Sequence, residues 1–268
     1  MIRLLQTCAV LPALAGLTAL CAQTASFAPA PADPALTVTA APTFVSQYLF
    51  RGLRYGGPSL QPWTEADYGR FAAGIWSSVP VSDRVPGQSD PEIDPYASFT
   101  QPLGASASLV AGFQAYLYPR APLNQGAYRS TYEPSLAVNV PVGGVRLTPR
   151  VAYDLTRRAL TLELEGAIAV PLKQFGTELD GNAVVGTARQ SAAVNSAGPG
   201  LPAGQAGQDY ALAGVTLPFQ VAAATKVSVG YAYSRGFDAW VQSGRLPRAP
   251  NPLAAGRGIF TAAVLFTF

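Results

Sequence analysis

The sequence predicts an all-β fold, a transmembrane antiparallel up-and-down β-barrel of about twelve strands. Three observations carry that expectation. Apolar residues recur at every second position, short links alternate with long ones, and the chain ends on a strand-like stretch closed by an aromatic residue. Hydrophobic residues make up 49% of the 268 positions and charged ones only 12%. No apolar run reaches the ~18 residues that mark a membrane helix. The apolar residues are therefore dispersed, and their period decides the fold.

Residues 1–22 read as a secretory signal peptide: Arg3, an apolar stretch from Leu4 to Leu20, and the small residue Ala22 before Gln23. Cleavage is expected after Ala22, with Ala25 as the alternative. Pro12 and the shortness of the stretch argue against a retained anchor, and Leu20 before Cys21 argues against a lipoprotein. Both cysteines, Cys8 and Cys21, lie in this segment, so the remaining chain would carry no disulfide or thiolate chemistry. It also lacks histidine. Without Arg3, 17 basic residues face 15 acidic ones, which excludes a nucleic-acid footprint. Residues 23–35 form a Pro/Ala-rich spacer, and 36–268 are expected to form the barrel.

Period-two patterning is clearest in 159–170, where Leu160, Leu162, Leu164, Ile168 and Val170 alternate with Thr161, Glu163 and Glu165. A helix would put apolar residues at i and i+2 on opposite sides. Strands are expected over 36–50, 59–67, 71–80, 92–101, 105–118, 129–140, 144–155, 159–170, 176–187, 207–217, 223–234 and 257–268. Links after even-numbered strands are short, as at 68–70, 102–104 and 141–143. Those at 81–91, 119–128, 188–206 and 235–256 are long. Tight periplasmic turns and longer extracellular loops give that alternation, although 156–158 is short where a long loop is expected.

The last strand puts Phe260, Ala262, Val264, Phe266 and Phe268 on one face. Phe266 and Phe268 resemble the terminal signal read by the barrel-assembly machinery of bacteria. Trp63, Tyr116, Tyr118, Tyr231, Tyr233, Trp240 and Phe260 fall near strand ends, where interfacial girdles need rings with a polar edge. Arg54, Arg84, Arg120, Arg157, Arg158, Arg189, Arg245, Arg248 and Arg257 fall in or beside the long links. There they are suited to lipopolysaccharide phosphates or to drawing anionic solutes to the mouth. Scattered solvated charge is the plainer reading.

Residues 45–52, Val-Ser-Gln-Tyr-Leu-Phe-Arg-Gly, followed in order by Gly74-Ile-Trp76-Ser-Ser78, Glu92-Ile-Asp94-Pro-Tyr96, Tyr116-Leu-Tyr118-Pro119 and Tyr132-Glu133, resemble the TorF-like porin family of Gram-negative bacteria. The resemblance covers mainly the first half of the chain. It implies an outer-membrane barrel of porin type, with outer-membrane lipid and lipopolysaccharide around it and small solutes passing through it.

Residues opposite the apolar face are expected to line the lumen. They are Arg51, Glu65, Asp67, Asp94, Gln114, Glu133, Asn139, Arg146, Arg150, Asp154, Glu163, Glu165 and Lys226, with Trp76 as an aromatic contact. Arg146 and Arg150 are expected to face Glu163 and Glu165 across adjacent strands, either as a charged constriction or as mutually neutralising braces of the wall. About twelve strands leave a lumen between a packed core and a broad channel, easily closed by an inward-folded loop. Passive diffusion of small hydrophilic solutes or ions is the expectation. A non-conducting structural or adhesive barrel is the alternative. An outer-membrane enzyme is disfavoured, because such enzymes commonly use histidine as a proton exchanger and this sequence has none. Neither cofactor nor metal is expected.

Overall fold

The computed structural model describes residues 35–85, 90–121, 128–194, 204–243 and 247–268. The expected signal segment 1–22, nearly all of the spacer and Arg245 lie outside the described residues. The described chain forms a closed ring of twelve antiparallel wall strands.

The first wall strand is β1 (Leu36–Ala41) continued by β2 (Thr43–Val45), and it is interrupted at Pro42. An inward hairpin follows, built of β3 (Tyr48–Phe50) and β4 (Leu53–Gly56). The second wall strand is β5 (Ser59–Leu60) and β6 (Trp63–Tyr68), interrupted at Pro62. Proline cannot donate to a ladder, yet the wall stays joined there. Pro42 accepts from Val264 at 3.2 Å and Pro62 from Ser77 at 3.0 Å.

The ring continues through β7 (Phe71–Pro80), β8 (Glu92–Leu103), β9 (Ala107–Leu117), β10 (Ser130–Val142), β11 (Val145–Asp154) and β12 (Ala159–Leu172). It is completed by β13 (Thr177–Val194), β14 (Gly204–Ala222), β15 (Thr225–Ser243) and β17 (Arg257–Thr267), with the short β16 (Ala249–Pro250) laid against β15. Closure comes from β17, which pairs with β15 on one side and with β1 and β2 on the other. Phe268 and Val38 exchange backbone hydrogen bonds at 2.9 and 3.3 Å. The turns that follow β6, β8, β10, β12 and β14 lie at one rim with the start of β1. The opposite, long-loop rim carries the start of the hairpin and the short turn between β11 and β12.

The outer surface is apolar and the inside polar, the inverse of a water-soluble barrel. On β12, Leu160, Leu162, Leu164, Ile168 and Val170 are exposed, while Thr161 and Ala167 are buried. Phe71 and Ile75 on β7, Phe113 on β9 and Val185 on β13 continue the exposed apolar belt. Charged residues such as Glu65, Asp94, Glu133 and Arg150 are buried inside. A wall with these two faces is stable where its outside meets hydrocarbon.

Three expectations need correction. The first strand does not run to Phe50: it leaves the wall after Val45, because the following residues pair with each other in the hairpin. The strands expected at 176–187, 207–217 and 223–234 extend to Val194, Gly204 and Ser243. The added stretches of β13 and β14 are rich in Gly, Ala, Ser and Gln, and backbone pairing there needs no apolar side chain, while that of β15 carries Phe237, Trp240 and Val241. Trp63, Tyr116 and Tyr118 are buried inside rather than girdling the outside. Tyr231, Tyr233 and Phe260 are exposed on the outer face.

Candidate functional site

The interior is organised around the hairpin. From Tyr48 to Gly56 the chain turns into the lumen from the long-loop rim and crosses it. Aromatic side chains anchor its flank. Tyr48 packs on Trp76 and on Tyr55, each with ring centroids 5.5 Å apart, and its hydroxyl donates to Glu92 at 2.7 Å. Tyr118 donates to the other oxygen of Glu92 at 3.0 Å. Phe50 meets Tyr116 at 6.0 Å. A phenolic hydroxyl satisfies a buried carboxylate while its ring contributes apolar packing.

The tip is Arg51 and Gly52, with φ of 49° and 76°. A left-handed arginine costs roughly 1–2 kcal/mol, and its contacts offset that. The guanidinium donates twice to Glu133 on β10, at 2.8 and 2.7 Å. It also lies 3.8 Å from Glu163 on β12. Arg150 on β11 donates to Glu133 at 3.0 Å and to Glu163 at 2.5 Å. Two arginines and two glutamates thus form a closed, charge-balanced square. Bidentate, charge-assisted bonds are the geometry in which buried ion pairs offset their desolvation best.

Glycines let the tip seat. A Cβ on Gly52 would lie 2.6 Å from the Cβ of Tyr210 and 2.8 Å from the backbone of Gly236 on β15. A Cβ on Gly236 would lie 2.8 Å from that of Ala254. Backbone therefore meets backbone at the far wall. A second device holds Glu163. Gly186 on β13 stands between Tyr210 on β14 and Glu163 on β12 in register. The Tyr210 ring lies over that glycine, and its hydroxyl donates to Glu163. Tyr96 on β8 likewise lies across Gly74 on β7, the residue in register with Glu65 on β6.

Of the residues expected to line the lumen, Trp76, Asp94, Glu133, Arg150 and Glu163 meet around the hairpin. Arg51 joins them from the hairpin tip rather than from the wall. Arg150 pairs directly opposite Glu163. Arg146 pairs opposite Ala167 and Glu165 opposite Thr148, so these two are diagonal neighbours nearer the short-turn rim. Phe266 and Phe268 sit exposed on the final strand. Several arginines of the long-loop side have local acidic partners: Arg54 bonds Asp83, Arg157 approaches Asp154 at 3.9 Å, and Arg189 pairs with Asp209 at 2.7 Å. Sequence reasoning missed the roles of Tyr48, Gly52, Tyr210 and Gly236. The available signal was Arg51-Gly52 set symmetrically between Tyr48-Leu49-Phe50 and Leu53-Arg54-Tyr55, a hairpin pattern with a glycine turn.

The architecture has known counterparts. The KdgM porin aligns with 86% of this chain and 99% of its own, at 10% identity and a TM-score of 0.54. A NanC porin structure aligns over 87% and 99%, at 10% identity and 0.47. The outer membrane protease OmpT from Escherichia coli aligns over 88% and 95%, at 14% identity and 0.33. The KdgM likeness is one of fold. No curated protein matches the sequence. The bacterial family Gcw_chp, described as of unknown function, matches residues 29–197, and the chain belongs to that family.

Proposed function

We propose that the protein is a porin-like outer-membrane channel for passive diffusion of small hydrophilic solutes or ions, held narrow by the β3–β4 hairpin. The observation that carries this reading is a closed wall, apolar outside, whose charged interior is occupied by a connection folded in from one rim. Apolar packing of similar volume is often as stable as buried ion pairs, so a lumen lined with charge favours a solute path over a purely structural wall. The fold shared with the KdgM porin supports a channel architecture. The TorF-like resemblance supports it too, because residues 45–52 of that motif lead into the hairpin and form its first half.

On this reading the export signal lies in residues 1–22. Outer-membrane lipid and lipopolysaccharide surround the wall, and Phe266 and Phe268 present the final strand to the barrel-assembly machinery. Deleting Phe268 should then reduce the folded protein recovered from outer membranes, because the deletion also removes the closure bonds to Val38. Planar-bilayer recording of the purified full chain tests the channel itself. Small, discrete conductance steps are expected. A second reading, a non-conducting barrel, draws on the contact of Gly52 with Gly236, which carries the hairpin across the lumen. Absence of conductance, even with the hairpin released, would select it.

A further inference from the structure

Charge on the inner wall is unevenly shared. The five consecutive wall strands from β6 to β10 contain Glu65, Asp67, Glu92, Asp94 and Glu133, and no lysine or arginine. All five carboxylates alternate with outward residues and share the inner face. On β11 and β12, by contrast, Arg146 and Arg150 are matched by Glu163 and Glu165. Lys226, paired with Leu265, adds one positive charge on β15 near the short-turn rim, and buried Asp180 on β13 adds one negative charge.

Two further observations concern what this acidic wall receives. First, a cation already sits on it: the Arg51 guanidinium, delivered by the hairpin and bound at both oxygens of Glu133. Second, Asp94 is 0% and Gln114 1% exposed. Gln114 donates to one carboxylate oxygen of Asp94 at 2.9 Å. The other Asp94 oxygen and the Gln114 carbonyl oxygen have no protein partner. Both unpartnered groups are acceptors, the complement of a cation.

We infer that the lumen selects small cations and that the hairpin, through Arg51, is a tethered occupant of the cation path. This inference rests on the channel reading. When the hairpin is seated, Arg51 neutralises Glu133 and Tyr48 covers Glu92. When it withdraws, Glu133 keeps Arg150 and Tyr116 but loses one counter-charge, and Glu92 keeps Tyr118, so the wall gains net negative charge beside Asp94, Glu65 and Asp67. A narrow passage with low-dielectric walls focuses the field of charges of one sign, and rings of acidic side chains are a known means of cation selection. Of the arginines of the long-loop side, Arg84 and Arg189 are exposed, and salt screens them. Arg157 is half-buried beside Tyr118, and its charge partly offsets that of Glu92 at the long-loop end of the acidic wall.

The test is the reversal potential of the full chain in planar bilayers under a potassium chloride gradient. It is repeated for Arg51→Gln and for the double substitution Glu65→Gln with Asp67→Asn, which leaves the hairpin contacts intact. Potassium should be preferred over chloride several-fold in the parent. The preference should persist or grow in Arg51→Gln and fall at least twofold toward parity in the double variant. A chloride preference in the parent, or an unchanged ratio in the double variant, overturns cation selection and leaves the channel reading standing. No conductance from folded parent and folded Arg51→Gln overturns both.

Discussion

Arg51, at the tip of a hairpin that leaves the wall after Val45, is bound through both terminal nitrogens to Glu133 on β10, 82 positions along the chain. Glu133 also accepts from Arg150 and from Tyr116. One carboxylate therefore joins the hairpin, β9, β10 and β11, and the seating of the hairpin depends on it.

Replacing Arg51 with Ala should release the hairpin without unfolding the barrel, because Glu133 keeps Arg150 and Tyr116. Each hydrogen bond to a charged group is worth ~1.5–3 kcal/mol. The loss of two, about 3 kcal/mol or more, should lower the ratio of seated to released hairpin roughly a hundredfold. Larger or longer openings in bilayers, and faster proteolysis near Arg54 in the folded protein, are the expected results. Unchanged conductance would show that the hairpin does not control the path.

Steric unseating should act like loss of the ion pair. Gly236→Val places side-chain atoms where Gly52 and Ala254 lie, while every member of the ionic square remains. The expected phenotype matches Arg51→Ala in direction, with heat stability of the wall nearly unchanged. A closed channel in Gly236→Val would mean that the tip can seat elsewhere.

The two glutamates of the square should differ in their effect on stability. Glu133→Gln deprives both Arg51 and Arg150 of a shared buried carboxylate, and breaking such a pair costs about 3–5 kcal/mol. Glu163→Gln leaves both arginines bound to Glu133 and should cost less. Heat-dependent gel mobility in detergent, compared between the variants, reports the order. Equal midpoints would mean that the square is not what holds the interior together.

On the outer face, Leu164→Arg sets a charge in the middle of the exposed apolar belt, which costs about 2–4 kcal/mol in a membrane wall. Val142→Arg, beside the turn that joins β10 to β11, should cost about 0–1 kcal/mol. Recovery of folded barrels from lipid vesicles should fall for the first and hold for the second. Equal recovery would argue that lipid does not cover Leu164.

Much of this fold was legible in local patterning. Alternation at Leu160, Leu162 and Leu164 against Glu163 and Glu165 assigns the two faces of β12, and the same parity carries through the other strands. Parity also contained the position of Tyr116. It shares a face with Gln114, so its burial inside follows from a pattern already read, whereas its nearness to a strand end suggested a girdle. Strand lengths at β13 and β14 were less legible, since the added stretches are mostly Gly, Ala, Ser and Gln and carry no apolar period, whereas on β15 Phe237 and Val241 continue the outward parity of Tyr231 and Tyr233.

What the sequence determined by itself was the two-faced wall, its twelve-strand rhythm and the placement of polar side chains inside. These follow from a backbone period of two residues, which is local and visible wherever side chains alternate. Only the tertiary structure decided that Tyr48 to Gly56 leaves the wall, that Arg51 reaches Glu133, and that Gly52 rests against Gly236. Those contacts join positions far apart in the chain. They depend on closure of the ring, which sets the distance between opposite walls, and no local period encodes that distance.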